Sequence, residues 1–345
     1  MYLRLIKEKN YNQFYDTPFY TYISLSNICN ANCEFCDVRK NIMKKNSIDV
    51  KRLILELSEL GTKYVHFTGG GEPFVNDDIF EYLEYANNLG IKIVLISNGY
   101  NLNEEKIKRL SNLNIVAFFF SIDSCKKEIH DSLRGIKGLF EKATENINIL
   151  KKYMPNTKVV LNHVINSKNI SDFLEFIKMK ERVNFDYINP IIIKDCERLF
   201  PSKSQIENYK KNIELFKDTA KYYDIEFLCQ DIDFFKSDVQ DNGDREYNTL
   251  ARCVYPSFCS FIDCPTGLVY PCDCSIHRDR ELYCIGSLHD NTFKEIWNGE
   301  KRKNLKKLLY RGMLDCPLKC DEANCLFNKN YFKKEVNNEE DISNC

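Results

Sequence analysis

From about residue 20 to residue 230 the chain alternates short apolar runs with longer amphipathic ones, and that alternation admits very few folds. The runs 20–26, 64–68, 91–97, 115–122, 158–165 and 185–193 read as strands that are apolar along almost their whole length. Strands without polar alternation are buried on both faces, and when helices separate them they form a parallel sheet. Ser47 stands where an N-cap would open a helix over 48–60, with Leu53, Leu57 and Leu60 on one face and Gly61 ending it. Asn76 or Asp77 opens a second helix that Gly90 ends, and further helices are expected near 103–112, 137–153, 169–182 and 204–224. Six strand–helix units in series predict an α/β fold, a partial (β/α)6 barrel of the TIM type. Such barrels place their chemistry at the C-terminal ends of the strands.

The chain has 345 residues, 43% of them hydrophobic, with 23 Phe and 20 Tyr, which supports a large core and a second, smaller unit. A net charge of −1 without long runs of one sign argues against a general nucleic-acid binder. No apolar run reaches membrane-spanning length, and the N-terminus lacks the apolar core of a signal peptide, so a cytoplasmic protein is expected. There the 16 cysteines stay reduced, and metal ligation is their expected use. Cys125, Cys196 and Cys229 stand alone and read as small buried hydrophobes. Residues 231–252 are acidic and polar and read as a linker. Beyond them a hairpin over 260–264 and 268–270 flanks Pro265-Thr266-Gly267, Thr292 caps a helix over 293–297, and a basic helix follows over 301–310. The expected division is an extension over 1–19, the barrel over 20–230, the linker, a cysteine-rich domain over 253–330 and a tail over 331–345.

Cys29, Cys33 and Cys36 form a C-x3-C-x2-C array directly after the first strand. Three thiolates can hold three irons of a cubane [4Fe–4S] cluster and leave the fourth iron open to a substrate or cofactor. The alternative is a zinc or structural site, but zinc usually closes with four ligands in paired spacings, and the next cysteine is Cys125. Phe35 sets an aromatic ring beside the third thiolate. Thr68-Gly69-Gly70-Gly71-Glu72-Pro73 ends the second strand; glycines there let the backbone approach a ligand, and Glu72 adds a carboxylate. Alone, that run reads as a tight turn.

Together these motifs resemble those of radical S-adenosylmethionine enzymes, over residues 20 to about 195. The resemblance implies that Cys29, Cys33 and Cys36 bind the [4Fe–4S] cluster, whose open iron takes S-adenosylmethionine. It implies that Phe35 lies near the adenine and that Gly70, Gly71, Glu72 and Pro73 meet the methionine amino group. Asn98 falls at the usual end of the third strand, and Ser121 and Asp123 where the family places polar residues near the ribose or carboxylate. His130-Asp131-Ser132-Leu133-Arg134-Gly135 is similar to an H-D-x-x-R-G stretch of one subgroup, which implies that Arg134 reaches the cofactor carboxylate. The alternative for Asp123, Asp131 and Arg134 is a surface turn with an ion pair.

Cys253, Gly267 and Cys272, followed by Cys316, Cys320 and Cys325, resemble the SPASM or twitch extension of such enzymes over about 253–325. That resemblance implies one or two auxiliary [4Fe–4S] clusters. Cys253, Cys272, Cys316 and Cys320 would satisfy a single twitch cluster. Cys259 matches a further ligand of full SPASM domains such as those of anaerobic sulfatase maturases, and Cys325 with Cys345 would complete a second site. The chain departs from the full pattern with C-x3-C-x4-C in place of C-x2-C-x5-C, and with Asn328, Lys329 and Asn330 where the next cysteine is usual. Cys264, Cys274 and Cys284 are spare candidates, and a zinc ribbon is the alternative for the region. Asp273 follows Cys272 as the proposed base does in sulfatase maturases, and otherwise reads as a solvated turn aspartate. The resemblance implies hydrogen abstraction from a substrate, with electrons from flavodoxin or ferredoxin. A peptide or protein substrate is the leading expectation, and a sugar or cyclitol dehydrogenase or epimerase is the alternative. No nucleic-acid or membrane partner is expected.

Overall fold

The computed structural model describes residues 16–36, 46–193, 196–228, 232, 235, 253–273, 275 and 280–311. Seven strands run parallel as neighbours in chain order: β1 (Tyr20–Ser24), β2 (Tyr64–Thr68), β3 (Lys92–Ser97), β4 (Ile115–Ser121), β5 (Lys158–Ile165), β6 (Tyr187–Ile192) and β7 (Glu226–Phe227). The helices between them are α1 (Val50–Glu59), α2 (Ile79–Asn88), α3 (Glu104–Leu110), α4 (Lys127–Arg134), α5 (Leu139–Tyr153), α6 (Phe173–Lys178), α7 (Lys203–Lys211) and α8 (Ile213–Tyr222). All six expected strands are present; the short β7 carries too few residues to show a pattern. The result is an α/β fold with a parallel sheet, a partial barrel.

The chain departs from its sequence pattern at several element ends. Ser47 does not cap α1. Asp49 does, its carboxylate accepting the Arg52 N–H at 3.0 Å, while the Ser47 N–H and hydroxyl both donate to the Cys264 carbonyl, at 2.9 and 3.0 Å. Asp78 is the N-cap position of α2, and Asn76 accepts its N–H at 2.9 Å in a local turn. The helix expected over 204–224 is two helices. Asn212 divides them by donating its side-chain amide to the Asn208 carbonyl at 2.8 Å, a bond that competes with the helix ladder. The stretch 169–182 is a single α-turn segment flanked by 3-10 turns. Helix α4 was not apparent from the sequence, because only His130 and Leu133 mark its buried face.

The two faces of the sheet differ. Ile23, Phe67, Leu95, Phe118 and Leu161 share one face and have no exposed area. Helices seal it: His163 packs on Phe176 of α6 with ring centroids 4.0 Å apart. On the other face Tyr22, Thr68, Ile96, Phe119, Asn162 and Asn189 are only half-buried. Its inner layer is aromatic, with the His66 ring 4.8 Å from that of Tyr22 and 6.1 Å from that of Phe119. This concave, partly open face is the barrel mouth.

The C-terminal segment is built into the same sheet. Strand β8 (Cys259–Asp263) lies parallel to β1 with Tyr20 opposite Cys259, and the buried Thr21 and Ser260 hydroxyls meet at 2.9 Å. β9 (Leu268–Tyr270) and β10 (Gly286–Ser287) follow antiparallel, so the sheet runs β10-β9-β8-β1-β2-β3-β4-β5-β6-β7 and does not close. Helices α9 (Arg280–Tyr283), α10 (Phe293–Asn298) and α11 (Glu300–Tyr310) complete it. Thr292 caps α10 as expected and forms a reciprocal box with Glu295. Glu56 of α1 accepts the Phe293 N–H at 2.6 Å. The buried Arg302 donates to the Trp297 and Pro256 carbonyls at 2.8 and 3.0 Å and pairs with Asp16 at 2.8 Å. Of the expected linker, Ile232 and Phe235 are described, and both are buried. Cys229, Cys274, Cys316, Cys320, Cys325 and Cys345 lie outside the described residues. Among the described residues no helix is long and apolar enough to cross a membrane.

Three buried histidines make stability depend on pH. Burial pushes His130 and His163 down to about 4 and His66 well below its ordinary value. An unfolded histidine titrates near 6.5, so below that pH the unfolded chain binds the extra protons. Stability is therefore fully present above pH ~6.5 and declines as pH falls toward 4. The urea midpoint is expected to drop steadily across that window, and His163→Gln to make the drop shallower. An unchanged slope in His163→Gln would show that the ring is not buried neutral.

Candidate cluster and cofactor site

The cysteine loop leaves the C-terminal end of β1 and rests on the end of α4. Asn32 and Glu34 donate their N–H groups to the Arg134 and Leu133 carbonyls, at 2.8 and 2.9 Å. These are two of the carbonyls that a helix end leaves without partners. Gly135, at φ +65°, ends α4; a Cβ there would lie 2.6 Å from the Asn32 carbonyl oxygen, so the close approach needs glycine. Glu34 pairs with Lys168 at 2.5 Å and with Arg198 at 3.5 Å, which ties the loop to the far side of the barrel. Cys29, Cys33 and Cys36 are half-buried. The Ala31 N–H points at the Cys29 sulfur at 3.4 Å, and Arg134 Nη1 at the Cys33 sulfur at 3.7 Å. Burial pushes the Cys29 thiol up to about 11; it also raises Cys33, where the Arg134 charge opposes it.

The glycine turn after β2 lies directly on this loop. Gly70 N–H donates to the Ser24 hydroxyl, Gly71 N–H to the Ser26 carbonyl and Glu72 N–H to the Ile28 carbonyl, each at 2.9 Å. A Cβ on Gly71 would overlap the Ile28 carbonyl. Glu72 is buried and its carboxylate is engaged within the protein. It accepts the Ser97 hydroxyl at 2.7 Å, the Asn98 N–H at 2.8 Å and the Phe74 N–H at 3.1 Å. Burial raises its pKa against those donors. Pro73 opens the 3-10 turn that follows. Asn98 donates its amide to Asn30 at 2.8 Å and accepts the Tyr100 N–H at 2.9 Å, joining the end of β3 to the cysteine loop.

Asp123 and Arg134 are not a surface turn. Asp123 is wholly buried, takes Arg134 Nε at 2.5 Å and the Val164 N–H at 2.9 Å, and donates its own N–H to His130 Nδ1 at 3.1 Å. Asn169 donates to the Asp123 carbonyl at 2.6 Å. Burial alone would raise the Asp123 carboxyl, but the Arg134 and His130 charges and the hydrogen bonds from Arg134 and Val164 together outweigh it and hold the carboxyl below its usual value. Arg134 loses charge stabilisation by burial, yet Asp123 and Cys33 keep it protonated. The guanidinium also lies 5.3 Å from the Phe35 ring, which packs with Leu133, Ile193 and Leu199. Asp131 accepts the Gly138 and Phe140 N–H groups at 2.6 and 2.9 Å and so fixes the start of α5. Ser121 ends β4 half-buried on the open face. Asn30, Asn169 and the Ser24 hydroxyl also hold this site together; no motif spacing marks them, since each acts through a partner distant in sequence.

In the C-terminal segment Cys253, Cys259 and Cys272 are buried. Cys259 opens β8, two residues before the Phe261–Tyr270 pair, and Cys272 lies two residues beyond the end of β9. Cys264 directly follows β8, is wholly buried and donates its N–H to the Ser24 carbonyl at 3.0 Å. Cys284 directs its thiol to the Gly286 carbonyl at 3.4 Å. Asp273 follows Cys272 half-buried. Among the described residues no three His, Cys, Asp or Glu side chains share a single-ion site; a cubane, whose irons occupy separate corners, spreads its thiolates wider.

The residues present fit an iron–sulfur cluster with a ligand beside it. Desolvated thiols that resist ionisation gain a counter-charge in iron, which binds them as thiolates. The absence of a Cβ on Gly71 lets the turn close directly on the Ile28 backbone at the start of the cysteine loop.

Comparison with known proteins points the same way. The Radical SAM superfamily matches residues 23–179, and an iron–sulfur cluster-binding domain, SPASM, matches 253–325. The chain is 26% identical to an AdoMet-dependent heme synthase of Oleidesulfovibrio alaskensis, over 78% of this chain and 71% of that protein. Two further proteins of that name are matched over 45% and 42% of their lengths. In fold it is similar to anSMEcpe with bound AdoMet (TM-score 0.63, 19% identity, 94% of this chain and 99% of that one). It is also similar to Streptococcus suis SuiB bound to its precursor peptide SuiA (TM-score 0.63, 14% identity, 92% and 74%).

Proposed function

This chain belongs to the radical S-adenosylmethionine superfamily and carries a C-terminal SPASM iron–sulfur domain, and from that we propose that it oxidises a peptide or protein substrate. It is an enzyme whose cofactors are S-adenosylmethionine, a [4Fe–4S] cluster and auxiliary iron–sulfur clusters. Cys29, Cys33 and Cys36 would hold the first cluster. Cys253, Cys259 and Cys272, with Cys316, Cys320 and Cys325, would hold the auxiliary iron. Held there, the first cluster would supply the one-electron reduction that cleaves S-adenosylmethionine for hydrogen abstraction.

The protein's own residues bind, orient and neutralise. Arg134 keeps a positive charge beside the Cys33 sulfur, which favours the thiolate and tunes the cluster. Asp123 acts on Arg134 and positions it rather than meeting a ligand. Glu72 braces the turn, so the Gly70 and Gly71 backbone is the surface offered to the methionine end of the cofactor. Phe35 offers its ring to the adenine, and Asn98 and Ser121 line the approach. Asp273 would accept the proton released when the substrate radical is oxidised. Flavodoxin or ferredoxin is the class of reductant proposed.

One observation carries the choice of substrate. Above Lys92 and Lys158, at the N-terminal ends of β3 and β5, the described strand positions of the open face carry amides, hydroxyls, aromatic rings and aliphatic side chains such as Ile96, Val160, Val164 and Ile191, but no Lys or Arg. Neutral hydrogen-bonding groups suit a peptide better than a tetrapyrrole bearing carboxylates. The likeness to a heme synthase supports tetrapyrrole chemistry as the second reading. The test offers anaerobically reconstituted enzyme, S-adenosylmethionine and dithionite a random peptide library, iron-coproporphyrin III or cyclitols in separate reactions. The peptide library is expected to raise 5′-deoxyadenosine above background and to yield peptides lighter by two hydrogens. Turnover of the porphyrin or a cyclitol in place of the peptides overturns the reading.

A further inference from the structure

On the open face one row of strand positions is polar throughout. Ser121 of β4 stands in register with Asn162 of β5, and Asn162 with Asn189 of β6. All three are half-buried. The neighbouring rows are apolar or aromatic: Phe119, Val160 and Tyr187 on one side, Val164 and Ile191 on the other. Asn189 Nδ2 donates to Asn162 Oδ1 at 2.8 Å. That bond uses one donor group and one acceptor group. It leaves the Asn189 carbonyl oxygen and the Asn162 amide N–H groups outside that bond, on two half-buried side chains of the open face. Exchanging oxygen and nitrogen on both side chains leaves the same inventory, one carbonyl oxygen and one NH2 group outside the bond.

A pair with one acceptor and one donor complements a single secondary amide. We propose that Asn162 and Asn189 form the substrate-orienting element of this enzyme, holding one backbone amide of the peptide substrate so that an adjacent C–H bond faces the mouth. The assignment rests on the peptide reading above. A carboxylate would offer acceptors only and leave the asparagine oxygen facing another oxygen. An apolar group would leave both half-buried amide groups unmet.

The test uses the reconstituted full chain with S-adenosylmethionine and dithionite. The probes are N-acetyl amino acid N-methylamides deuterated on every amino-acid carbon, the corresponding N-acetyl amino acids ending in a free carboxylate, and perdeuterated myo-inositol. The readout is the fraction of 5′-deoxyadenosine that carries deuterium, a ratio that does not depend on how much enzyme folds. At least one methylamide is expected to donate deuterium. The fraction should fall about tenfold with its free-acid counterpart, and about tenfold in Asn162→Leu and in Asn189→Leu. Asn162→Gln and Asn189→Gln, which keep the amide, should retain most of it. Leucine variants that match the wild type, or acids that serve as well as amides, overturn the role of the pair and leave the peptide reading standing. Deuterium from inositol and none from any amide overturns both, and absence of transfer from every probe counts against the pair.

Discussion

Replacing Cys29, Cys33 and Cys36 together by alanine is expected to abolish 5′-deoxyadenosine formation while iron remains bound elsewhere in the chain. Four irons make a cubane, so the wild type should carry about 8 irons with one auxiliary cluster or about 12 with two, and the variant about 4 fewer. The effect is expected to be all-or-none because the variant removes every thiolate of the C-x3-C-x2-C array. The Ala31 N–H and the Arg134 guanidinium that now point at the Cys29 and Cys33 sulfurs would point at methyl groups. The measurement is anaerobic reconstitution, iron analysis and mass spectrometry of the products under dithionite. Persistent 5′-deoxyadenosine in the triple variant would falsify the assignment, and zinc in place of iron would return the site to a structural one.

Asp123→Ala should produce the largest loss of stability from any single change near the site. It leaves the Arg134 guanidinium, whose side chain is 11% exposed, without its counter-charge. Removing one partner of a buried pair costs about 3–5 kcal/mol. The damage should reach the cluster as well, since the Leu133 and Arg134 carbonyls hold the cysteine loop. The urea midpoint and the iron content should therefore fall together. Asp123→Ala combined with Arg134→Met removes both charges and should recover much of the stability but not the iron loading. The Asp123 carboxyl is held below its usual value, so its contribution is present above the unfolded pKa of about 3.9 and is lost as pH falls through the folded value. A single variant as stable as the wild type would mean that the pair is not buried as described.

Much of this was legible along the chain. The six main strands announce themselves because strands buried on both faces must be apolar at nearly every position, and a local run of residues records that directly. The C-x3-C-x2-C spacing of Cys29, Cys33 and Cys36 and the glycine turn at Gly70 and Gly71 were equally plain, since each lies within one short loop. Helix α4 was not legible. Its pattern is mostly polar, and what fixes it is the buried Asp123–Arg134 pair and the cysteine loop resting on its end. Ser47 was misread as a cap because its hydroxyl suits that position, while the Cys264 carbonyl that takes it lies far along the chain.

The sequence by itself determined the parallel α/β sheet, the C-x3-C-x2-C array and the glycine turn, because each depends on chemistry recorded within a few consecutive residues. The tertiary structure alone decided that Glu72 braces a turn, that Asp123 serves Arg134, that β8 extends the barrel sheet beside β1, and that Asn162 meets Asn189 across two strands. Those roles depend on which distant groups arrive to satisfy a buried donor, acceptor or charge. Burial and partnership are settled only when the whole chain has packed.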